Sequence, residues 1–284
     1  MLKKEYKRIL ILCTVLVLLC IFAVAFYFQN LIYLSAFQFF EPDISVEKIE
    51  VPTEKLSLSE IENDERIEFN QSLMLINTEY KISDSDVFNI TEYKNSGVQM
   101  NTCMVSAYED LSYAVLSETG EKLYVSSHFR NKEDQAKLYA ESPELATEPG
   151  ASEHEAGLCL DIYVQYNAGD NFLKTDAGKF VNTKCHEYGF IIRYPHYGYS
   201  ETGIRFEPWH IRYVGKIHAD IIYSNRLTLE EYIFSLEENV FYSVENYIIT
   251  RQRPEDGCIL IPAGFETYTI SPDNTGCYIV TACG

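Results

Sequence analysis

Apolar residues run from Ile9 to Phe28 with only Thr14 interrupting them. Such a run, at about 1.5 Å of rise per residue, spans roughly the 30 Å hydrocarbon core of a bilayer, which predicts a transmembrane helix. From Gln29 to about Asn70 the pattern turns acidic and loses any clear period, and it reads as a stalk. SLMLINTEYKI, around Leu73, has the apolar density of a strand entering a core. MVSAYEDLSYAVL (104–116) sets Val105, Tyr108, Leu111 and Leu116 at helical spacing. LYVSS (123–127) is short and β-prone, whereas NKEDQAKLYAE (131–141) starts on an Asn cap, is rich in helix formers and stops at Pro143. LCLDIYV (158–164) and FEPWHIRYVG (206–215) read as strands, KFVNTKCHEYGFIIRYP (179–195) as a helix ending near Gly189 with a strand after it, and LTLEEYIFSLEENV (227–240) as a last helix. From Tyr242 the pieces YIIT, CILIPAG, TYTIS and CYIVT, divided by Pro, Gly, Asp and Asn, predict a small all-β module. The expected architecture is α+β: a cytoplasmic tip and anchor at 1–28, a stalk at 29–70, a main domain at 71–241 and a β module at 242–284.

Charge sharpens the topology. The 284 residues include 23 Lys plus Arg against 42 Asp plus Glu, a net charge of −19, and outside the first eight residues no stretch is dense in basic side chains. Nucleic-acid binding, which needs a basic face, is thereby disfavoured. Lys3, Lys4, Lys7 and Arg8 precede the apolar run, which places the N-terminus in the cytoplasm and everything after the span outside. Ala23-Val24-Ala25 has the small-x-small form of a signal-peptidase site, but the run exceeds a usual signal core and continues through Phe28, so a retained single-pass anchor is the expectation. Of eight Cys, six lie beyond the span without any CxxC pair, which disfavours a structural thiolate zinc cluster. Cys258, Cys277 and Cys283 permit one bridge in the tail, and buried free thiols are the alternative.

The chemistry concentrates in two segments. If 158–163 is a strand, Leu158, Leu160 and Ile162 face the core, while Cys159, Asp161 and Tyr163 face the other way. A carboxylate in so apolar a strand needs a cation, a hydrogen-bond network or a metal. His154 lies seven residues before Asp161, and His210 sits in another β-prone piece beside Glu207, with Pro208 forbidding regular helix between them. Two imidazoles and one carboxylate form a donor set suited to zinc that leaves a fourth position for water, and Glu207 could serve as general base. Taken singly, each residue also fits a plain role: Asp161 bonded to backbone or to an Arg, a satisfied core His, an exposed Glu.

The stretches SSHFRNKEDQAKLY, PGASEHEAGLCLDIY, YGFIIRYP and TGIRFEPWHIRYVG, in this order and separation, resemble the VanY-type D-alanyl-D-alanine carboxypeptidases, zinc peptidases of the D,D-peptidase/Hedgehog fold. The resemblance covers roughly Leu73 to Glu231. It implies Zn2+ held by His154, Asp161 and His210, with Glu207 as the catalytic base, Arg130 gripping the substrate's terminal carboxylate, and Gln135 and Ser152 assisting in binding. It also implies a peptidoglycan stem peptide or lipid-linked precursor as substrate, met at the outer face of the membrane. An L,D-carboxypeptidase acting on tetrapeptide stems would share the same residues, and a non-catalytic cell-wall-binding receptor is the rival from another class. One departure is His128, which stands where the family has Gly in its Ser-Gly-Tyr-Arg motif and puts the pocket's shape in question. His186, His196 and His218 are expected to be surface or packing residues, Trp209 to form a wall beside the metal, and Tyr163, Tyr194 and Tyr213 to be candidates for lining the cleft.

Overall fold

The computed structural model describes residues 2–144 and 146–284, with the side chains at 2–5, 8 and 62 excepted. The side chains of Lys3, Lys4 and Arg8, part of the cluster used to orient the N-terminus, thus lie outside the described residues. Helix α1 (Leu2–Tyr27) contains the apolar stretch Ile9–Tyr27, of mean hydropathy 3.3 and long enough to cross a membrane. It is followed by a second apolar helix, α2 (Gln29–Phe40), so the expected stalk begins as helix instead. These helices form one unit of the chain, ending at Glu41, and Pro42–Gly284 forms the other.

The second unit begins with three short strands, β1 (Glu47–Ile49), β2 (Thr53–Ser57) and β3 (Ile67–Phe69). An antiparallel pair, β4 (Ile90–Glu92) and β5 (Gln99–Asn101), leads into α3 (Val105–Thr119), β6 (Tyr124–Ser127), α4 (Lys132–Glu141) and β7 (Cys159–Tyr163). Then come α5 (Asp176–Lys184), β8 (Phe190–Ile192), the single turn α6 (Tyr199–Thr202) and β9 (His210–Tyr213). Helices α7 (Lys216–Ser224) and α8 (Leu229–Ser235) hand over to β10 (Phe241–Val244), β11 (Tyr247–Gln252), β12 (Cys258–Pro262), β13 (Thr267–Pro272) and β14 (Tyr278–Cys283).

Local chemistry explains most of these boundaries. Helix α3 buries Tyr108, Leu111 and Val115, which share one helical face. Helix α4 starts where the Asn131 side chain accepts from the Asp134 amide, and α8 starts at a capping box between Thr228 and Glu231. Strands β6, β7, β9 and β8 form, in that order, an antiparallel sheet. Its core face carries Leu160, Ile162 and Ile211, packed on Leu111, Val115 and Val181 from the helices.

Two expectations fail. The segment around Leu73 is no strand. Leu73 to Ile76 are buried in irregular backbone whose polar groups find side-chain and distant partners: Arg212 Nη2 donates to the carbonyls of Ser72 and Met74, each at 2.9 Å, and the Leu75 amide donates to Asp273 O at 3.1 Å. The second correction concerns the stalk, 29–70, and its separation from the tail, 242–284. Strands of both segments share one six-stranded sheet in the order β1-β10-β11-β14-β13-β3, and β2 pairs with β12. The tail's apolar faces are too short to cover one another, and they close on Leu56 and Ile61 from the acidic segment. The tail also shares a core with the helices, since Val244, Ile249 and Ile279 pack with Ile217, Ile221 and Tyr232. Among the described residues all eight cysteines are free, so Cys258, Cys277 and Cys283 form no bridge.

His218 joins α7 to that core. Its Nδ1 lies 2.5 Å from the Tyr232 hydroxyl and its Nε2 lies 2.9 Å from Thr281 Oγ1, and burial pushes its pKa down to about 3. Above the unfolded value of about 6.5 the ring is neutral in both states. Below it, only the unfolded chain takes up the proton, so stability falls as pH drops from about 6.5 towards 3. At pH 5 this loss amounts to about 2 kcal/mol, at 1.36 kcal/mol per pKa unit. Thermal melting of the wild type should therefore decline more steeply from pH 7 to pH 5 than that of His218→Gln; equal slopes would refute the assignment.

Candidate active site

Sheet register brings the predicted residues together. Ser127 of β6 is paired with Asp161 of β7, past a bulge between Val125 and Ser127, and Asp161 is paired with His210 of β9. The three thus form a row across the sheet. His154 arrives from the 3-10 turn Glu153–Ala156, which closes at Gly157 with φ +64°. A Cβ at Gly157 would lie 2.6 Å from Ile90 Cδ1 and 3.0 Å from the Asn101 amide, so glycine is required for the turn to seat against the β4–β5 pair. Beyond Tyr194, the Glu207 amide donates to Tyr194 O and the His210 amide to Glu207 O, a turn that holds Glu207 beside His210.

The ring atoms have distinct surroundings. His154 Nδ1 lies 3.0 Å from the His128 carbonyl, which makes it the protonated nitrogen and leaves Nε2 facing Asp161 Oδ2 at 3.5 Å. His210 Nδ1 lies 2.9 Å from Asp161 Oδ1 and 3.9 Å from Glu207 Oε2. Burial opposes charge on His154, but Cys159 and Asp161 outweigh it and raise its pKa to about 9. Burial likewise opposes charge on His210, and Cys159, Asp161 and Glu153 drive its pKa well above the ordinary value. The Asp161 carboxyl is held below its usual range, because hydrogen bonds from His154 and His210 overcome burial. This cluster favours a positive charge at its centre, and two imidazoles with a carboxylate are a fitting donor set for a divalent metal. Glu207 departs in the other direction: burial raises it and, although His210 pulls down, Asp161 adds to the rise.

The residues line a cleft of about 700 Å³ that also includes Arg130, Gln135, Ser152, Tyr194, Tyr199 and Trp209. Arg130 Nη2 donates to Ser127 Oγ at 2.7 Å and Nη1 to Gln135 Oε1 at 2.6 Å, while Gln135 Nε2 donates to Thr147 O at 2.6 Å. Both ends of the Gln135 amide are therefore engaged, and the side chain works by holding Arg130. The Arg130 amide donates to His154 O at 3.0 Å, tying the guanidinium's loop to the imidazole's turn. His128 has no positive φ, its ring is half-buried, and its carbonyl is what orients His154. Trp209 carries the Arg205 guanidinium 5.3 Å from its ring centre. Of the tyrosines singled out, Tyr194 lines the cleft, whereas Tyr163 packs on Tyr124 and Tyr213 on Phe190. His186 pairs with Asp220 and stacks on Tyr223, away from the metal donors.

Two neighbours escaped the sequence reading. Cys159 lies with His154 and His210 such that one donor atom from each falls within 4.8 Å of the others. Its position on the polar face of β7 was visible, but nothing in the sequence ranked it against Asp161. The structure does: Cys159 is fully buried and absent from the cleft wall, whereas the Asp161 side chain is 20% exposed and faces the cleft. The other neighbour is Glu153, whose sequence surroundings, a turn with a second acidic residue at Glu155, give no sign of its burial. It is buried against Arg193 and Arg212.

Comparisons with known proteins point to one family. Residues 97–216 match the VanY family, described as D-alanyl-D-alanine carboxypeptidase. A D-alanyl-D-alanine carboxypeptidase of Enterococcus faecium is 30% identical over 235 residues, 75% of this chain and 75% of its own. Among solved structures, the vancomycin-resistance D,D-dipeptidase VanXYg, bound to a D-Ala-D-Ala phosphinate analogue, is similar with a TM-score of 0.65 and 25% identity, covering 83% of this chain and 100% of its own. The D,D-pentapeptidase VanY from a VanB-type resistance cassette, a mutant form solved with Zn(II), is similar with a TM-score of 0.51 and 29% identity over 57% of this chain and 98% of its own.

The contrast between the two donors on β7 yields an expected outcome. Asp161→Ala should weaken divalent-metal binding by more than the roughly 10–100-fold typical of outer-shell losses, and Cys159→Ala should keep one metal per chain. Chelator competition with metal analysis measures both, and the reverse order would make Cys159 the ligand.

Proposed function

The chain belongs to the VanY family of D-alanyl-D-alanine carboxypeptidases, and from that premise we propose how its own residues perform the hydrolysis. The enzyme is a metallocarboxypeptidase that removes a terminal D-alanine. His154 Nε2, Asp161 and His210 Nδ1 would hold a zinc ion, which when bound supplies an acidified water and a polarised carbonyl at neutral pH. Glu207 is the general base: it accepts the proton of the attacking water and returns it to the amine of the departing D-alanine. The observation that carries this reading is the position of the Glu207 carboxylate, raised in pKa by burial and 3.9 Å from the nitrogen that His210 turns towards Asp161. A carboxyl whose charged form burial disfavours holds a proton more readily than an exposed one, so it can both take and return the proton that the reaction moves.

Arg130 binds the free carboxylate of the substrate. A guanidinium grips two oxygens at once, and in a chain of net charge −19 it offsets the repulsion an anionic terminus would meet. Ser127 and Gln135 aim it, and Ser152 lines the cleft beside His154. The substrate is a peptidoglycan stem peptide or its lipid-linked precursor. The apolar stretch Ile9–Tyr27 would be a retained anchor with its N-terminus cytoplasmic, presenting the second unit to that substrate outside the cell membrane.

Incubating the protein with defined pentapeptide and tetrapeptide stems and weighing the products tests the assignment. Loss of one D-alanine from the pentapeptide is expected; alanine released from tetrapeptides alone would replace it with an L,D-carboxypeptidase. Glu207→Gln should lower kcat by about 10²–10⁴-fold while metal content stays at the wild-type level. Arg130→Lys should act chiefly on KM, raising it about 10- to 100-fold for the loss of a charge-assisted hydrogen bond. An unchanged KM would remove Arg130 from the substrate site.

A further inference from the structure

His210 presents its two nitrogens to opposite sides. Nδ1 faces the cleft, with Asp161 Oδ1 at 2.9 Å and Glu207 Oε2 at 3.9 Å. Nε2 faces inward, has no hydrogen-bond partner among the described residues, and lies 3.7 Å from Glu153 Oε2, which also has none among them. Two buried polar atoms, each without a partner and each turned to the other, are rare in a folded protein. The Glu153 carboxylate has no freedom to turn elsewhere. Its side chain is 1% exposed, and its other oxygen, Oε1, accepts from Arg193 Nε at 2.7 Å and from Arg212 Nη1 at 2.6 Å. Those arginines are fixed in turn. Arg193 donates to both Glu230 oxygens, and Arg212 donates to the carbonyls of Ser72, Met74 and Tyr213.

We propose that Glu153 is the positioning carboxylate of His210: it is the acceptor that Nε2–H faces, so that the ring keeps its proton on Nε2 and the tautomer whose bare Nδ1 faces Asp161 and His154. A neutral imidazole carries one proton, and a buried carboxylate opposite Nε2 decides which nitrogen holds it. Asp161, an acceptor when ionised, would favour the opposite tautomer by accepting a hydrogen bond from a protonated Nδ1. The two carboxylates therefore compete for the ring. Glu153, buried and held by two arginines, pins the ring from behind, while Asp161 stays on the cleft side as a fellow donor. His154 has the equivalent support from a backbone carbonyl, that of His128. The inference rests on the reading of His210 as a metal ligand, so the experiment includes a control for that reading.

The full-length chain would be loaded with Co2+ for absorption spectroscopy and with Zn2+ for chelator competition. Glu153→Gln keeps the shape and removes the charge; it should weaken zinc binding about 10–100-fold and shift the visible Co2+ bands. Glu230→Gln is the structural control, since it strips a carboxylate from Arg193 without facing His210, and it should leave the spectrum unchanged and the affinity within about twofold. Equal losses in both variants, or none in Glu153→Gln, would reduce Glu153 to a counter-ion for the arginines. Asp161→Ala identifies failure of the ligand reading itself: if it too leaves affinity and spectrum untouched, the metal lies elsewhere and the proposal falls with that reading. If Glu153→Gln does not fold, the wild type still decides the matter, because nitrogen-15 histidine spectra of the zinc-loaded chain should show the His210 proton on Nε2. A proton on Nδ1 overturns the proposal.

Discussion

Charge leaves water only in company, and this molecule is organised around one such burial. Arg193 and Arg212 are 1% and 0% exposed, and the carboxylate between them, Glu153, is as deeply buried. Burial alone would push the Glu153 carboxyl up; Arg212 and Arg193 overcome that and keep it ionised. Removing one member would leave an unpaired buried charge, at a cost of about 3–5 kcal/mol. The network reaches α8 through Glu230 and the irregular segment at Ser72 and Met74 through Arg212. Its chain positions matter as much as its strength: Glu153 immediately precedes His154, and Arg212 follows His210 by two residues on the same strand face. Whatever holds the ion network in place holds the two imidazoles too.

The site is accordingly built in two tiers. Beneath the cleft, groups are fully buried and held by several partners, as Arg212 is by three carbonyls and Glu153 Oε1 is by two guanidiniums. At the cleft wall the side chains remain partly exposed: Asp161, Glu207 and Arg130 each keep capacity for something that enters. Gln135 lies between the tiers, spending both ends of its amide to point Arg130. Rigidity below and availability above are what a hydrolytic site requires, since proton transfer and carboxylate binding both depend on placement to fractions of an ångström.

Much of the site was legible because its signals are local. Alternation along LCLDIYV placed Leu160 and Ile162 in the core and Asp161 on the opposite face, and the Asn131 cap marked the start of α4; Gly189 closes the 3-10 turn Cys185–Tyr188, since α5 itself stops at Lys184. Tail strands were legible for the same reason, from short β-prone runs between turn residues. What escaped depends on partners distant in sequence. Nothing near SLMLINTEYKI reveals that Arg212 would supply its hydrogen bonds, so its apolar density resembled a strand. Ile67–Phe69 gains its ladder from β13, some two hundred residues later, and its own acidic surroundings carry no strand period. Glu153 was invisible as a special residue because its distinction lies in burial, and burial of a glutamate is dictated by two arginines far along the chain.

The placement of β14 has a consequence for how the protein is made. The last strand of the chain lies inside the six-stranded sheet, between β11 and β13, while two of its companions, β1 and β3, are among the first segments of the second unit. At about 5–20 residues per second, ribosomes need on the order of ten seconds or more to travel from one to the other. Throughout that interval the early strands offer unpaired edges, and the helices α7 and α8 lack Ile279, which belongs to their core. Peptidase and sheet thus mature together: the core of α7 and α8 stays incomplete until β14 has been made, and a chain lacking β14 is left with open edges on β11 and β13.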